Sequence, residues 1–284
     1  MIIYNPLFTC FMRSALFLHP IFILTKPFYP KYNIERTKQN RSGGIIMLKG
    51  KVAVITGAGT GIGKAIALRL AKEGINLALC GRNLDNLKKT KDEVERLGVK
   101  TFIMQGDLTD DNYLFSFIDK IAEHFGSVDI VINNAGMAYN AKLEDTPAEV
   151  FDNIMKLNVR CTYFSCQTAL SHLRKSDWAT IINISSNMGH NAYACQSAYV
   201  ASKHAVHGMT KALAKEVYKE GIRCHIISPG GVYTDMVKIS RPDLSSDGMI
   251  LPEEVAETVA FLIINRGNAV IDEIRVHRIG KEPF

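Results

Sequence analysis

The stretch Val52-Ala53-Val54-Ile55-Thr56-Gly57-Ala58-Gly59-Thr60-Gly61-Ile62-Gly63 carries the clearest structural signal in the chain. Its apolar half is typical of a buried strand, and its glycines allow a tight turn and a close approach of the backbone to a pyrophosphate. The next segment has helical periodicity, so unpaired N–H groups and the positive end of a helix dipole meet at the turn. The sequence predicts a phosphate-binding turn, with a purely structural turn as the alternative. The residues expected to bind a dinucleotide here are Gly57, Thr60, Gly61, Ile62 and Gly63.

Further apolar runs follow, separated by segments with helical periodicity. Runs that are apolar throughout are typical of strands buried on both faces, as in a parallel sheet. Strands that alternate with helices predict right-handed βαβ units. We therefore expect an α/β fold, one domain with a Rossmann-type, doubly wound parallel sheet of about seven strands flanked by helices. The runs are Leu77–Cys80, Thr101–Met104, Ile130–Ile132, Ile181–Ile184 and Cys224–Ile227, and one helical stripe is Leu84, Leu87, Val94 and Leu97, followed by Gly98 as an expected helix stop.

Composition and charge exclude several classes of protein. With 47% hydrophobic and 22% charged residues, the chain is not a disordered, collagen-like or disulfide-scaffold sequence. Residues 1–46 account for +5 of the formal net charge of +6, so the remainder is nearly neutral and predicts no nucleic-acid partner. No apolar run reaches the ~18 residues of a membrane span, so we expect no stable membrane association. The six cysteines lack metal-ligand spacing, which predicts no metal site and free thiols in a reducing cytoplasm.

Residues 1–46 differ in character from the rest of the chain. Their apolar segments are split by His19-Pro20, which a secretory signal would not tolerate. Met47-Leu48-Lys49-Gly50-Lys51 leads directly into the first strand, and Gly43-Gly44 can be an in-frame ribosome-binding site. We expect residues 1–46 to be an N-terminal extension read from the leader and 47–284 to be the catalytic domain, with a targeting or membrane role for the extension as the alternative.

The end of the second apolar run concerns the choice of cofactor. A dinucleotide fold that binds NAD carries an acid about 20 residues after the glycine turn, which binds the ribose 2′-hydroxyl. Here the run ends in Gly81-Arg82-Asn83, with no acid before Asp85. The Arg82 guanidinium suits a 2′-phosphate, so the sequence favours NADP(H) over NAD(H). The alternative is that Arg82 only begins a solvated helix.

A tyrosine and a lysine form the candidate catalytic pair. Tyr199 and Lys203 are four residues apart, which places both side chains on one face of a helix. A nearby ammonium favours the phenolate, so we expect Lys203 to lower the pKa of Tyr199 and allow proton exchange with an alcohol or carbonyl oxygen. Ser186 lies at the carboxyl end of the run Ile181–Ile184, the edge at which open α/β sheets bind ligands.

With these motifs in hand, residues 48–284 resemble the classical short-chain dehydrogenase/reductase family. The resemblance depends on several motifs that occur in the family's order and spacing. These are Thr56–Gly63, Asp107-Leu108, Asn133-Asn134-Ala135-Gly136, Asn158, Ser186, Tyr199 with Lys203, and Pro229-Gly230-Gly231-Val232-Tyr233-Thr234. The family implies an NADP(H)-dependent oxidoreductase that transfers a hydride between nicotinamide and a small carbonyl or secondary alcohol, and a homodimer or homotetramer.

The resemblance also implies catalytic roles. Tyr199 is expected to be the general acid in reduction and the base in oxidation, and Ser186 to hold the substrate oxygen. Lys203 is expected to bind the nicotinamide ribose and to tune Tyr199. Asn158 is expected to hold a water that relays protons toward Lys203.

Further residues are implied to contact the cofactor. Val232 and Thr234 are expected to hold the carboxamide, Asn134 to line the ribose, and Asp107 with Leu108 to line the adenine. Tyr199 and Lys203 are also expected to contact the cofactor.

Two alternative functions remain at this point, a 3-oxoacyl-[acyl-carrier-protein] reductase and a non-catalytic dinucleotide sensor. The short, polar segment between Met236 and Pro252 argues against a long acyl chain, and the four catalytic residues argue against a sensor. We expect His190, His204 and His207 to be packing or surface residues, and Cys195 to be a buried, inert thiol.

Overall fold

The computed structural model describes residues 48–240 and 245–281. Met47 and the extension before it, on which the proposed start depends, lie outside these residues. In the described part, seven parallel strands form one sheet in the order β3-β2-β1-β4-β5-β6-β7. The expected Rossmann-type sheet is confirmed. Across the same residues, no helix has the length and apolarity needed to cross a membrane.

The elements alternate as the sequence predicts. The strands are β1 Val52–Thr56, β2 Asn76–Gly81, β3 Thr101–Gln105, β4 Ile130–Asn133, β5 Thr180–Ile184, β6 Arg223–Pro229 and β7 Glu273–Val276. The helices are α1 Gly61–Ala71, α2 Leu84–Glu95, α3 Asp111–Leu114, α4 Phe117–Phe125, α5 Ala148–Ile154, α6 Cys161–Leu173, α7 Ser197–Val217, α8 Asp235–Ser240 and α9 Pro252–Ile264. A π-helical segment, Met155–Arg160, joins α5 to α6, and 3₁₀ turns occupy Leu143–Asp145, Asn187–Gly189 and Tyr218–Glu220.

The core lies on both faces of the sheet. Successive side chains of a strand point to opposite faces, so Ala53 and Ile55 of β1 join one cluster while Val52 and Val54 join the other. The first cluster includes side chains of α1 and α9, and the second includes side chains of α4 and α6. All of β1, β4, β5 and β6 is buried, as the apolar runs predict.

Two details of the predicted core are wrong. β3 is mostly half-buried rather than buried on both faces, because it is an edge strand that pairs only with β2. Leu97 was expected in the apolar stripe of α2 but is 43% exposed. The reason is that the helix ends at Glu95, two residues earlier, and the chain then turns at Gly98 with φ +86°.

The strand order determines where a ligand can bind. From β1 the chain builds the sheet in one direction through β2 and β3, and it then returns to the other side of β1 with β4. Crossover connections on either side of that reversal diverge, which opens a crevice at the carboxyl edge of the strands. The glycine turn follows β1, and Asn134 follows β4, so both lie at this crevice.

Candidate active site

The glycine turn allows the start of helix α1 to pack directly against the backbone of Gly57. Gly57 and Gly61 have φ values of +67° and +53°, which side-chain-bearing residues rarely adopt. A Cβ on Gly63 would lie 2.2 Å from the Gly57 carbonyl oxygen, so only glycine permits this packing. The first turn of α1 contains no acidic residue, and its N–H groups are therefore available to an anion.

A cleft with a volume of about 350 Å³ extends from this turn along the carboxyl edge of the sheet. Most of the residues expected to bind the cofactor line it, namely Gly57, Thr60, Gly61, Ile62, Arg82, Asp107, Leu108, Asn134, Tyr199, Lys203 and Thr234. Gly63 and Val232 are not part of its lining. Gly63 supports the turn from behind, and Val232 is buried in a β-bridge to Ile250.

The bridge at Val232 still constrains the backbone of its loop. The Ile250 N–H donates to the Gly231 carbonyl at 3.1 Å, and the Tyr233 N–H donates to the Ile250 carbonyl at 2.8 Å. In a parallel bridge of this kind, the N–H and C=O of Val232 itself point away from Ile250. At the other side of the loop, a Cβ on Gly61 would lie 3.2 Å from Thr234 Cγ2, so the loop closes over the glycine turn.

The ends of β1 and β4 are tied together beside the cleft. The Thr56 hydroxyl accepts hydrogen bonds from the N–H groups of Asn134, at 2.9 Å, and Ala135, at 3.0 Å. In return, the side-chain amide of Asn134 donates to the Thr56 carbonyl at 3.0 Å. The side chain that was expected to line the ribose therefore also fixes the two central strands.

Arg82 and Asp107 face each other at the edge of the cleft where β2 and β3 end. The side chain of Arg82 is 75% exposed, and its Nη1 lies 3.9 Å from Asp107 Oδ2. Burial alone raises the pKa of Asp107, but hydrogen bonds from Thr109 and the charge of Arg82 outweigh it and hold that pKa below its usual value. Arg82 thus presents a solvated guanidinium at the mouth of the cleft.

Tyr199 and Lys203 both lie on α7, with Ser186 opposite. Lys203 Nζ donates to the Ile184 carbonyl at 3.0 Å and lies 5.6 Å from the centre of the Tyr199 ring. Ser186 follows the end of β5, and its side chain is close enough to Tyr199 to favour the phenolate. Helix α7 and the end of β5 therefore bring the three predicted catalytic side chains together.

The protonation of this pair differs from the expectation. Burial raises the pKa of Tyr199 to about 12, and the hydrogen bond with Ser186 only partly opposes the rise. Burial also lowers the pKa of Lys203 to about 8. Burial therefore dominates the pKa of Tyr199, although Lys203 Nζ lies 5.6 Å from the centre of its ring.

Asn158 sits in the π-helical segment, and its side chain is fully engaged. Its Oδ1 accepts from the Met137 N–H at 2.9 Å, and its Nδ2 donates to the Met137 carbonyl at 2.9 Å and to Ser202 Oγ at 3.0 Å. A π-bulge inserts an extra residue into a helical turn and is frequent at functional sites. Asn158 thereby anchors the segment after β4 to helix α7.

Several cleft residues escaped the sequence analysis. One of them, Gly106, directly follows β3, and a glycine at that position is a signal that the sequence offers. Gly106 lies against the Tyr113 ring, and a Cβ there would clash with it. The others gave no usable pattern. They include Asn83, Asn86, Met137, Leu157, Ser185, Asp235 and Met236.

The prediction for Cys195 is wrong. The residue is exposed and has φ +63°, because its carbonyl accepts the Ala141 N–H at 2.9 Å in the loop before α7. His204 is an exposed residue and His207 a buried one, in agreement with the surface or packing roles expected for them.

Sequence comparison supports the assignment made from the motifs. The profile of the family described as short chain dehydrogenase matches residues 51–245. The chain is 38% identical over 211 residues to a D-beta-hydroxybutyrate dehydrogenase from Rhizobium meliloti (strain 1021), which covers 74% of this chain and 82% of that protein.

Solved structures agree with the fold. An alcohol dehydrogenase from the archaeon Thermococcus sibiricus, complexed with 5-hydroxy-NADP, is 30% identical with a TM-score of 0.77 and covers 82% of this chain and 99% of that one. A carveol dehydrogenase from Mycobacterium avium, in complex with NAD, is 26% identical with a TM-score of 0.74 and covers 81% and 96%.

Proposed function

The chain belongs to the short-chain dehydrogenase family, and we propose that it is an NADP(H)-dependent oxidoreductase that acts on a carbonyl or secondary alcohol. The observation that carries this proposal is that Tyr199 and Lys203 line the same cleft as the glycine turn, with Ser186 next to Tyr199 after the carboxyl end of β5. We assign the activity to residues 47–284.

The residues present fit a nicotinamide dinucleotide. The close packing of Gly63 against Gly57 leaves the N-terminus of α1 open to a pyrophosphate. In our proposal, Asp107 and Leu108 line the adenine, Asn134 the ribose, and the loop with Val232 and Thr234 the carboxamide. The similar proteins bound to 5-hydroxy-NADP and to NAD support this class of cofactor. When bound, the cofactor supplies or accepts the hydride.

Arg82 favours NADP(H) within this class. Its exposed guanidinium lies at the mouth of the cleft, and no carboxylate of β2 competes for the ribose. A 2′-phosphate would gain charge-assisted hydrogen bonds there, which are stronger than those between neutral groups. Its partner Asp107, 3.9 Å away, is close enough to orient the guanidinium.

Tyr199 is the proposed proton donor in reduction. A phenol with a pKa of about 12 is protonated at neutral pH, so it can give its proton to a substrate oxygen that gains negative charge. Ser186 holds that oxygen against Tyr199. Lys203 binds the nicotinamide ribose, and its ammonium, with a pKa of about 8, can pass on a proton near neutral pH. Asn158 positions the site and, in the proposal, a relay water.

Assembly and location complete the proposal. Aromatic side chains on α5 and α6 are exposed, Phe151 by 43% and Tyr163 by 51%, which supports a homodimer or homotetramer formed through these helices. The five described cysteines are free thiols, which supports a reducing cytoplasm as the place of action.

A panel of substrates tests the proposed function. NADPH oxidation is followed with small ketones (acetoacetate among them, given the hydroxybutyrate dehydrogenase relative), aldehydes, sugars and β-ketoacyl thioesters. We expect turnover with a small carbonyl. Turnover confined to thioesters would replace the proposal with an acyl reductase, and tight NADPH binding without any turnover would contradict catalysis.

A further inference from the structure

A carboxylate on the last strand faces groups from three segments that build the active site. Glu273 begins β7, and its side chain is only 19% exposed. Its Oε1 hydrogen-bonds to His190 Nε2, accepts from Ser228 Oγ at 3.3 Å, and lies 4.0 Å from His207 Nδ1. None of these residues belongs to the proposed catalytic or cofactor-binding set.

Arg275 determines which ring nitrogen of His190 carries the proton. Its Nη2 lies 2.7 Å from His190 Nδ1, and arginine has donors but no acceptor. Nδ1 therefore accepts, and the proton of neutral His190 is on Nε2, from which it is donated to Glu273. Arg275 Nε also lies 3.6 Å from Glu273 Oε1 and balances the carboxylate's charge.

His207 is joined to the same carboxylate through Ser228. The Ser228 hydroxyl donates to Glu273, so it accepts from His207 Nε2, 3.2 Å away. Burial lowers the pKa of His207 to about 4, so the ring is neutral at physiological pH and carries its proton on Nε2. The result is a chain of hydrogen bonds that ends on one half-buried carboxylate.

Each partner of Glu273 is attached to a catalytic segment. His190 directly follows the 3₁₀ turn Asn187–Gly189, which begins at Ser186. His207 lies one helical turn after Lys203 on α7, and Ser228 precedes the loop that begins at Pro229.

The Ser186 turn rests directly on this network. A Cβ on Gly189 would lie 2.3 Å from His207 Nε2, so the turn is pressed against that ring with no room for a side chain. The rings of His190 and His207 meet edge to face, with centroids 4.3 Å apart. The position of the Ser186 hydroxyl therefore depends on groups that Glu273 holds.

We propose that Glu273 is a positioning residue for Ser186, acting through His190 and His207 to fix the turn that presents the Ser186 hydroxyl to substrate. The inference deepens the proposed function and rests on it. It assigns to the C-terminal strand a part in the reaction, although no side chain of that strand lines the cleft.

A divalent cation is the competing interpretation of this cluster. Ligand atoms of His190, His207 and Glu273 lie within 4.8 Å of one another, and two imidazoles with a carboxylate are suitable zinc ligands. Arg275 argues against it, because it already brings positive charge to Glu273 and holds the proton of His190 on the nitrogen that would have to ligate the metal.

Hydrogen exchange tests the positioning directly and independently of turnover. The amides of Met188, Gly189 and His190 are hydrogen-bonded within the turn, to Ser186 Oγ at 3.2 Å, to the Ser186 carbonyl at 2.9 Å and to the Asn187 carbonyl at 3.0 Å. We expect Glu273→Gln to speed their exchange at least tenfold, and Asp272→Asn, which changes the exposed neighbouring acid, to leave it unchanged. Unchanged exchange in Glu273→Gln would overturn the proposal.

A kinetic cycle with Ser186 then tests the link to chemistry. Glu273→Gln should lower kcat roughly 10–100-fold, the range for a small misplacement of a reacting group, without changing the Kd for NADPH. In a Ser186→Ala background the same substitution should have almost no effect, because its target is gone. Equal losses in both backgrounds would show that Glu273 acts elsewhere and would overturn the proposal. Absence of turnover in the wild type would refute the proposed function, while the hydrogen-exchange result would still test whether Glu273 fixes the turn after Ser186.

Discussion

The two ends of the cleft differ in whether backbone or side-chain groups form their surface. At the glycine-turn end, backbone groups form the surface, and Gly57, Gly61 and Gly63 are there because a side chain would clash or strain the chain. At the catalytic end, side chains form the surface, and two titratable groups, the half-buried Tyr199 and the buried Lys203, lie with Nζ 5.6 Å from the ring centre. One end is shaped by backbone conformation, and the other by the protonation of side chains.

This difference has an energetic consequence. Gly57, Gly61 and Gly63 carry no charge, so the glycine turn has no penalty for burying a charged group. Burying an ammonium group is unfavourable, as the lowered pKa of Lys203 shows. Burial of the Lys203 ammonium therefore lowers the free energy of unfolding at the catalytic end, where the proposed function requires this group.

The largest expected effect concerns Tyr199. Tyr199→Phe removes the proton donor and keeps the ring, so kcat should fall about 10²–10⁴-fold while NADPH binding is nearly unchanged. Steady-state kinetics and a fluorescence titration with NADPH measure the two quantities. Tyr218→Phe, at an exposed tyrosine after the same helix, is the matched control. A near-normal kcat in Tyr199→Phe would show that the catalytic end was assigned wrongly.

The stability of a Lys203 variant tests how much the burial of this ammonium group costs. The pKa of Lys203 in the folded protein is about 8, below the ordinary 10.5. The free-energy penalty for burying its ammonium group is therefore fully present below pH 8 and disappears as the pH rises to 10.5. Lys203→Met should abolish most turnover yet stabilise the fold at pH 7 by up to about 3 kcal/mol, less the lost hydrogen bond to Ile184. That advantage should shrink by pH 10.5.

Urea unfolding at pH 7 and at pH 10 measures the effect of Lys203→Met. Lys215→Met changes an exposed lysine of the same helix and should show no such pH-dependent difference. A Lys203→Met protein that is less stable than the wild type at pH 7 would refute the burial argument.

In our proposal, Arg82 is the side chain that gives the site its preference for NADP(H). Arg82→Asp should shift the ratio of kcat/KM for NADPH over NADH toward NADH by roughly 10–100-fold, since a charge-assisted contact is lost and a repulsion to the 2′-phosphate is gained. Lys89→Asp reverses an exposed charge on α2 that does not line the cleft and is the control. A wild type that already prefers NADH would contradict the role of Arg82.

The smallest expected effect belongs to the extension. Leu48 is already fully buried, and β1 obtains its neighbours from β2 and β4. A protein that begins at Met47 should therefore match the full chain in melting temperature and turnover within about twofold. Gel filtration, thermal melting and kinetics compare the two. Aggregation or loss of activity in the shorter protein would show that residues 1–46 belong to the working enzyme.

Local sequence patterns were enough to predict the glycine end. Apolar runs located the strands, and glycine spacing located the turn after β1, because both signals depend on neighbouring residues. The edge position of β3 was missed, since burial on both faces depends on which strands lie outside it. Leu97 was missed because helix α2 ends before it.

The catalytic end was predicted less completely because its arrangement is long-range. Motif spacing identified Ser186, Tyr199 and Lys203, but the direction of the Tyr199 pKa shift depends on burial, which is set only in the folded chain. Glu273 is 83 residues from His190, and no local pattern links them. Asn158 matched a motif, yet its contacts to Met137 and Ser202 appear only once α7 packs against the π-helical segment.

The central claim is that the catalytic end moves a proton to an oxygen whose carbon receives hydride from a cofactor held at the glycine end. The most direct measurement is the transfer of deuterium from NADPH deuterated at both C4 positions to a ketone that the wild type reduces, read by mass spectrometry of the product. We predict one deuterium on the carbinol carbon, with the rate of labelling reduced 10²–10⁴-fold in Tyr199→Phe. Product without deuterium, or equal labelling by the Tyr199→Phe variant, would contradict the account.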